Sequence, residues 1–319
     1  MTHRQLRAIR LLHAIAVAAL PCFLPHPAAA QTVDLRPQWT EGQTALYEFW
    51  NQRQQTTTMS LGPNQREAAM TVTTEGQTRW TVDKVNDDGS SQCTMTLEWI
   101  TAEIENNGQT QVNDSRKGSG DSETMHAFLQ AMAGVPLKVS VNADGSIESV
   151  EGVDQMKRNL GSELESLIPE PLDFVESATD LATIPHAPAE AEPGDTFSAD
   201  YRWTHELGHT DQDWTYELES VEELEGVRVA TVTGEGGLKL DVDRSEMPPD
   251  APPTDIRMTD AEATSQVFFD LSRHEAIGRH GTQDTTIEVN ITLPNNRGTL
   301  KRVTEQKIQS QTLRVEESG

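Results

Sequence analysis

Phe197-Ser198-Ala199-Asp200-Tyr201-Arg202-Trp203-Thr204-His205-Glu206-Leu207-Gly208-His209 supports two incompatible folds. Its last five residues have the spacing His-Glu-x-x-His. On a helix this sets two imidazoles one turn apart, able to share one divalent metal, with Glu206 beside them as general base. The residues before it alternate instead: Phe197, Ala199, Tyr201, Trp203, His205 and Leu207 fall on one parity, Ser198, Asp200, Arg202, Thr204 and Glu206 on the other. A period of two rich in aromatics is a strand signature. On one extended strand His205 and His209 share a face but stand about 13 Å apart, too far for one ion. Alternation predicts strand, with Gly208-His209 opening a loop toward a strand at Trp214.

The flanking sequence sides with strand. Trp80 to Val85 and Gln92 to Ile104 bracket Asn86-Asp87-Asp88-Gly89, and Leu137 to Val141 and Ile147 to Val150 bracket Asn142-Ala143-Asp144-Gly145. Each bracketed stretch is a turn whose glycine reaches positive φ. Val227 to Val232 and Leu238 to Val242 are joined through Gly234, Gly236 and Gly237. Val267, Phe269 and Leu271 alternate, as do Ile287, Val289 and Ile291, and a turn at 295–298 leads into a last strand from Leu300 to Val315. Helical spacing is confined to mid-chain. Asp121 or Ser122 caps a helix over about 122–134 bearing Met125, Phe128, Leu129 and Met132, and Val153, Met156, Leu160, Leu164 and Leu167 begin a second helical stretch spanning 153–183.

The chain divides in two. Gly42-Gln43-Thr44 leads into Leu46, Tyr47, Phe49 and Trp50, and Gly194-Asp195-Thr196 leads into Phe197, Tyr201 and Trp203; each is followed by a second tryptophan-bearing strand, at Trp80 and at Trp214. This predicts an internal duplication: a first β lobe over 31–184, a proline-rich linker over 185–193, and a second β lobe over 194–319. An irregular loop is predicted over 247–259, where four prolines remove backbone donors. The expected fold is mainly β, as two related antiparallel curved sheets or half-barrels with a helical segment between them.

Residues 1–30 read as an export signal: Arg4, Arg7 and Arg10, a short apolar run from Leu11 to Leu24, then Ala28-Ala29-Ala30 before Gln31. Cleavage near Ala30-Gln31 implies a periplasmic or secreted protein, and no apolar run is long enough to span a bilayer. Formal charge is −26, and −29 once the three signal arginines are removed. Such acidity excludes a nucleic-acid partner, which requires a basic surface. Past the signal only Cys93 remains, so no intramolecular disulfide forms. It lies in the alternating run Cys93, Met95, Leu97, Trp99 and reads as a small buried residue.

Two resemblances bear on function. His205 to His209 resembles the zincins over five residues only. That resemblance implies a zinc metallopeptidase with His205 and His209 as ligands and Glu206 as catalytic base. A metzincin would carry a third histidine where Thr215 stands. Glu235, at a gluzincin-like distance, sits in the turn-like Gly234-Glu235-Gly236-Gly237, and His274 and His280 are flanked by Arg273 and Arg279. The chain as a whole, through its Gly-x-Thr strand openings, the 142–145 turn and Phe268-Phe269-Asp270, resembles uncharacterised exported bacterial proteins with duplicated antiparallel sheets. It is distantly similar in layout to the periplasmic lipoprotein-carrier half-barrels. That likeness implies a non-enzymatic protein with no catalytic, cofactor-binding or metal residues, binding a lipid, a lipoprotein or another envelope component. A structural scaffold of the envelope is the other non-enzymatic expectation.

Overall fold

A computed structural model describes residues 32–160, 182–205, 208–242, 254–293 and 298–316. Residues 1–31 lie outside these, as do 161–181, where the second helical stretch was expected to continue, and most of the proline-rich loop.

Twelve strands form one antiparallel sheet. They are β1 (Thr44–Leu61), β2 (Asn64–Val85), β3 (Ser91–Asn106), β4 (Gln109–Asp114), β5 (Pro136–Val141), β6 (Ile147–Glu151), β7 (Thr196–His205), β8 (Gly208–Leu224), β9 (Val227–Val242), β10 (Thr254–Asp270), β11 (Glu275–Thr292) and β12 (Thr299–Val315). Their order is β6-β5-β3-β2-β1-β12-β11-β10-β9-β8-β7, with β4 pairing β3 off this path. Each half is a meander of hairpins, as the turns predict. The two halves are not separate sheets, however. β1 and β12 pair from Leu46↔Val315 to Leu61↔Leu300 and merge them into one. The sheet is not closed: the order ends at β6 and β7, which do not pair.

Tight turns set the register. Asn107 and Gly108, both at positive φ (52° and 79°), make a two-residue connection between β3 and β4. That conformation matches strand twist, and asparagine and glycine adopt it at least cost. Strand β4 has few apolar residues, which hid it from a search for hydrophobic alternation. Thr254–Thr259, expected in the irregular loop, belongs to β10. All four prolines precede it, so the β11 ladder loses no donor there.

The core lies on one face, toward one end of the strands. One cluster joins Tyr47, Trp80, Val82, Cys93, Met95, Leu137 and Val139 to Val153 and Met156. A second joins Tyr216, Leu218, Val232, Val267 and Phe269 to Val33, Leu35, Ile184, Ala187 and Ala191. The segment expected as a linker therefore does more than connect. Val33 and Ala191 form a β-bridge, and Arg279 donates to the Thr183 carbonyl at 2.9 Å. Helix α1 (Glu123–Met132) covers a third cluster, Leu97, Ile100 and Ala102, with Leu129 and Met132. Ser122 Oγ accepts from the Met125 N–H at 3.3 Å and caps the helix as expected. Helix α2 (Val153–Leu160) follows β6. No helix among the described residues is long and apolar enough to cross a membrane.

Aromatic rings lie flat over glycines on neighbouring strands. A Cβ on Gly76 would strike the Phe49 ring, and one on Gly236 would meet Trp214 at 2.8 Å. Because the halves share a sheet, they should unfold together. Trp80→Ala in the first cluster and Phe269→Ala in the second should each cost about 3–5 kcal/mol. Calorimetry should show a single transition lowered in both variants; two separable transitions would contradict a shared sheet.

Candidate functional site

The His-Glu-x-x-His residues sit at the end of a hairpin. His205 ends β7, Gly208 and His209 open β8, and the ladder pairs His205 with Gly208 and Thr204 with His209. Glu206 and Leu207 lie outside the described residues. His205 and His209 do not follow one another along a single strand. They occupy paired antiparallel strands, and paired positions face the same way, so 205 and 209 fall on opposite faces of the sheet. Gly208-His209 is strand and not loop, because β8 pairs with β9 from Gly208↔Val242 onward. His209 Nε2 lies 3.5 Å from Asp241 Oδ2 and 3.9 Å from Asp211 Oδ2, and Arg202 holds Asp211 at 2.6 Å. That guanidinium keeps the Asp211 carboxyl below its ordinary range.

The other chemistry-bearing residues are dispersed. Glu235 is part of β9 and His280 part of β11, where its Nδ1 meets the Ser310 carbonyl at 3.0 Å. His274 lies in the β10–β11 turn at φ 52°. Cys93 is fully buried, and burial pushes its thiol up to about 11. Among the described residues, no group of three or more His, Cys, Asp or Glu side chains is placed to hold a metal ion.

One buried ionic cluster went unanticipated. Glu275, 1% exposed, pairs with Arg314 at 2.8 Å and accepts from Gln43 Nε2 at 3.2 Å, with Arg273 at 3.8 Å. It sits where the ends of β1, β11 and β12 meet, beside a cavity of ≈ 300 Å³ lined by Thr44, Ala45, Arg273 and Arg314. Burial raises the Glu275 carboxyl above its ordinary range, and the arginines oppose that shift only in part. No sequence pattern marked Glu275, because its partners come from distant strands.

The core face continues past its buried clusters. Register defines its rows across β2-β1-β12-β11-β10. Nearest the core runs Gly76, Phe49, Thr312, Arg279 and Val267. A belt with more polar side chains follows: Thr74, Asn51, Ser310, Gly281 and Ser265, then the mixed row Val72, Arg53, Ile308, Gln283 and Ala263, then Met70, Gln55, Gln306, Thr285 and Ala261. Their side chains bond one another: Gln55 Nε2 donates to Thr57 Oγ1 at 3.3 Å, and Thr57 meets Thr304 at 3.4 Å. Beyond this belt apolar residues return, as Ile287 and Met258, then Met59, Val289 and Ile256, then Leu61, Leu300 and Ile291. Met59 and Leu61 are 43% and 40% exposed, and the others are half-buried.

The β9–β10 ladder stops at Glu262↔Gly237, so the sheet divides there into two wings. β9 runs on against β8 alone, carrying Leu238 and Leu240 on the same face. A groove of ≈ 410 Å³ on the opposite face is lined by Thr215, Glu217, Thr233, Glu235 and His280. Its side chains are threonines, Glu217, Glu235, Ser265, Gln266 and His280.

Residues 88–171, from the turn before β3 through α2 and beyond, match the model of a family of unknown function (DUF6263). Among solved structures the chain is similar to lipovitellin, in a structure concerned with its lipid–protein interactions, at 12% identity and a TM-score of 0.44. That overlap covers 84% of this chain and 25% of lipovitellin, so the chain spans about a quarter of that protein. It also overlaps the outer membrane protein OprG of Pseudomonas aeruginosa, at 8% identity and TM-score 0.25, over 88% and 99% of the two chains. An outer membrane channel from Pseudomonas putida F1 overlaps at 8% and 0.20, over 90% and 100%. Overlaps this loose define no shared site. No curated protein matches the sequence.

Two measurements check this geometry. Metal analysis of the purified protein and of His205→Ala should give no stoichiometric zinc in either; zinc lost only from the variant would restore the peptidase reading. Because the folded state holds Glu275 with a raised pKa, it binds a proton there more readily than the unfolded chain. Its favourable contribution is therefore complete below the ordinary glutamate range and is lost as pH rises through the elevated value. Urea unfolding across pH 4–8 should show wild type losing stability relative to Glu275→Gln as pH rises; a pH-independent difference would contradict the assignment.

Proposed function

We propose that this protein is a non-enzymatic binder of an acyl chain, belonging to an envelope lipid or lipoprotein, and that it works after export. The observation that carries the reading is the core face itself. Past its last buried layer it continues as rows of apolar side chains, Ile287, Val289, Ile291, Leu300, Met59 and Leu61, on the long wing of strands. A side chain left half in water costs part of the roughly 1.5–3 kcal/mol that full burial would return. An acyl chain laid along these rows recovers it without any rearrangement of the ladder. Half-buried apolar rows above a fully formed core are a poor design for a pure scaffold. The polar belt between core and rim explains why the rows do not simply collapse: hydrogen-bonded glutamines and threonines hold the wing extended.

The binding reading is tested by titrating the purified protein with a fluorescent fatty acid methyl ester. Saturable binding is expected. Leu300→Ser with Val289→Ser should weaken it about tenfold, since each change removes about 1 kcal/mol or less of contact. The same variant should retain the wild-type melting temperature within a few degrees, because both positions are half-buried. No saturable binding by wild type, or equal binding by the variant, would overturn the proposal.

A further inference from the structure

Charge is partitioned between the two faces of the sheet far more sharply than apolarity. From the buried clusters outward to the strand tips on the side of Leu61, Leu300 and Ile291, every paired position on the core face of β1–β3 and β7–β12 is free of Asp and Glu among the described residues; at the other end, beside the β8–β9 turn, that face carries Glu223 opposite Arg228. The chain carries 51 carboxylates, and those on these strand segments, among them Glu48, Glu75, Glu103, Asp284, Glu288 and Glu305, stand on the other face. That face also pairs them with its own cations, as in Lys301–Glu288 at 2.6 Å and Lys307–Asp284 at 3.4 Å. Alternation alone would place carboxylates on an exposed rim as readily as threonine or glutamine, so their exclusion asks for a cause.

On that outward stretch the charges that the core face does carry are arginines. Arg279 and Arg314 lie near the core and are engaged there. Arg53, Arg66 and Arg302 stand in the open rows, exposed, and form no ion pair with any described residue. Arg66 and Arg302 flank Met59 from either side in a single row, with Leu61 and Leu300 in the next. Neighbouring strands are about 4.8 Å apart, so the two guanidinium stems rise about 10 Å from each other over an apolar floor. In a chain of net charge −26, cations kept unpaired beside the most exposed apolar residues are placed for an anion that arrives with an apolar tail.

Resting on the acyl-binding reading above, we propose that the ligand is an anionic amphiphile bound one molecule at a time, its carboxylate or phosphate held between Arg66 and Arg302. Its chain lies along the apolar side chains of the adjoining rows, Leu61, Leu300, Ile291, Val289 and Ile287. Single molecules are favoured over an anionic bilayer because the acidic opposite face and the net charge of the chain repel such a surface.

The test uses purified protein, cis-parinaric acid as the anionic probe and its methyl ester as the neutral one. Wild type should bind the acid about tenfold more tightly than the ester, a preference that salt reduces. Arg66→Gln with Arg302→Gln should bring the acid down to the ester and leave the ester unchanged. Lys307→Gln, on the opposite face, should alter neither. Circular dichroism confirms that the variants fold, since both arginines are exposed and unpaired. Equal wild-type affinity for acid and ester, or an acid preference untouched in the double variant, overturns this inference and leaves acyl binding standing. Binding of neither probe overturns both. Sedimentation with phosphatidylglycerol vesicles in the absence of binding to dispersed probe overturns it in favour of membrane docking.

Discussion

The pairing of the first long strand with the last is the constraint on which the remaining structure depends. β1 and β12 are joined along nearly their whole length, from Leu46↔Val315 to Leu61↔Leu300. Without that ladder each half would be a meander with two open edges, and the core face would be two narrower surfaces. With it, both hydrophobic clusters share one backbone and the long wing β2-β1-β12-β11-β10 exists at all. The cost is entropic: residues more than two hundred positions apart must meet before the ladder rewards them. Glu275, Arg314, Gln43 and Tyr47 gather at the base of this seam. A buried ion pair there adds little net stability but penalises a misplaced register.

A single face stays continuous across the sheet only because bulges correct it. Between Leu97 and Ile100 the β2–β3 register shifts, and the same happens between Leu218 and Ser220 on β8 and between Met258 and Asp260 on β10. Each extra residue would otherwise turn the rest of its strand over and present carboxylates to the core side. The result, from the buried clusters outward along the long wing, is a sheet with an acidic face and a face of apolar, neutral polar and arginine side chains. The proposed function follows from that second face, and the preference for an anionic ligand from its arginines.

Much of the fold was legible in the sequence, for physical reasons that can be named. The aromatic alternation from Phe197 to Trp203 outweighed the five-residue motif because alternation reports burial over a whole strand, whereas His205-Glu206-Leu207-Gly208-His209 reports only spacing. The turns at 86–89 and 142–145 were readable because their glycines need positive φ. What was missed depended on non-local pairing. β4 has no apolar pattern and exists because Asn107-Gly108 folds it onto β3. The seam between the halves and the Glu275 cluster depend on partners at the far end of the chain. One signal was present and unread: odd positions from Ala45 to Leu61 carry no acid, nor do even positions from Asn64 to Val82. Tracking charge parity as well as apolar parity would have singled out the face, and Arg53, Arg66 and Arg302 with it.

The site proposed for the acyl chain is the core face of the long wing. Photolabelling with a fatty acid carrying a diazirine near its chain end, followed by peptide mapping, tests this most directly. Adducts are expected on core-face side chains of residues 53–61, 287–291 and 300–308, competed away by unlabelled fatty acid. Adducts on opposite-face residues such as Thr215, Thr233 or His280, or labelling that competitor does not reduce, would contradict it.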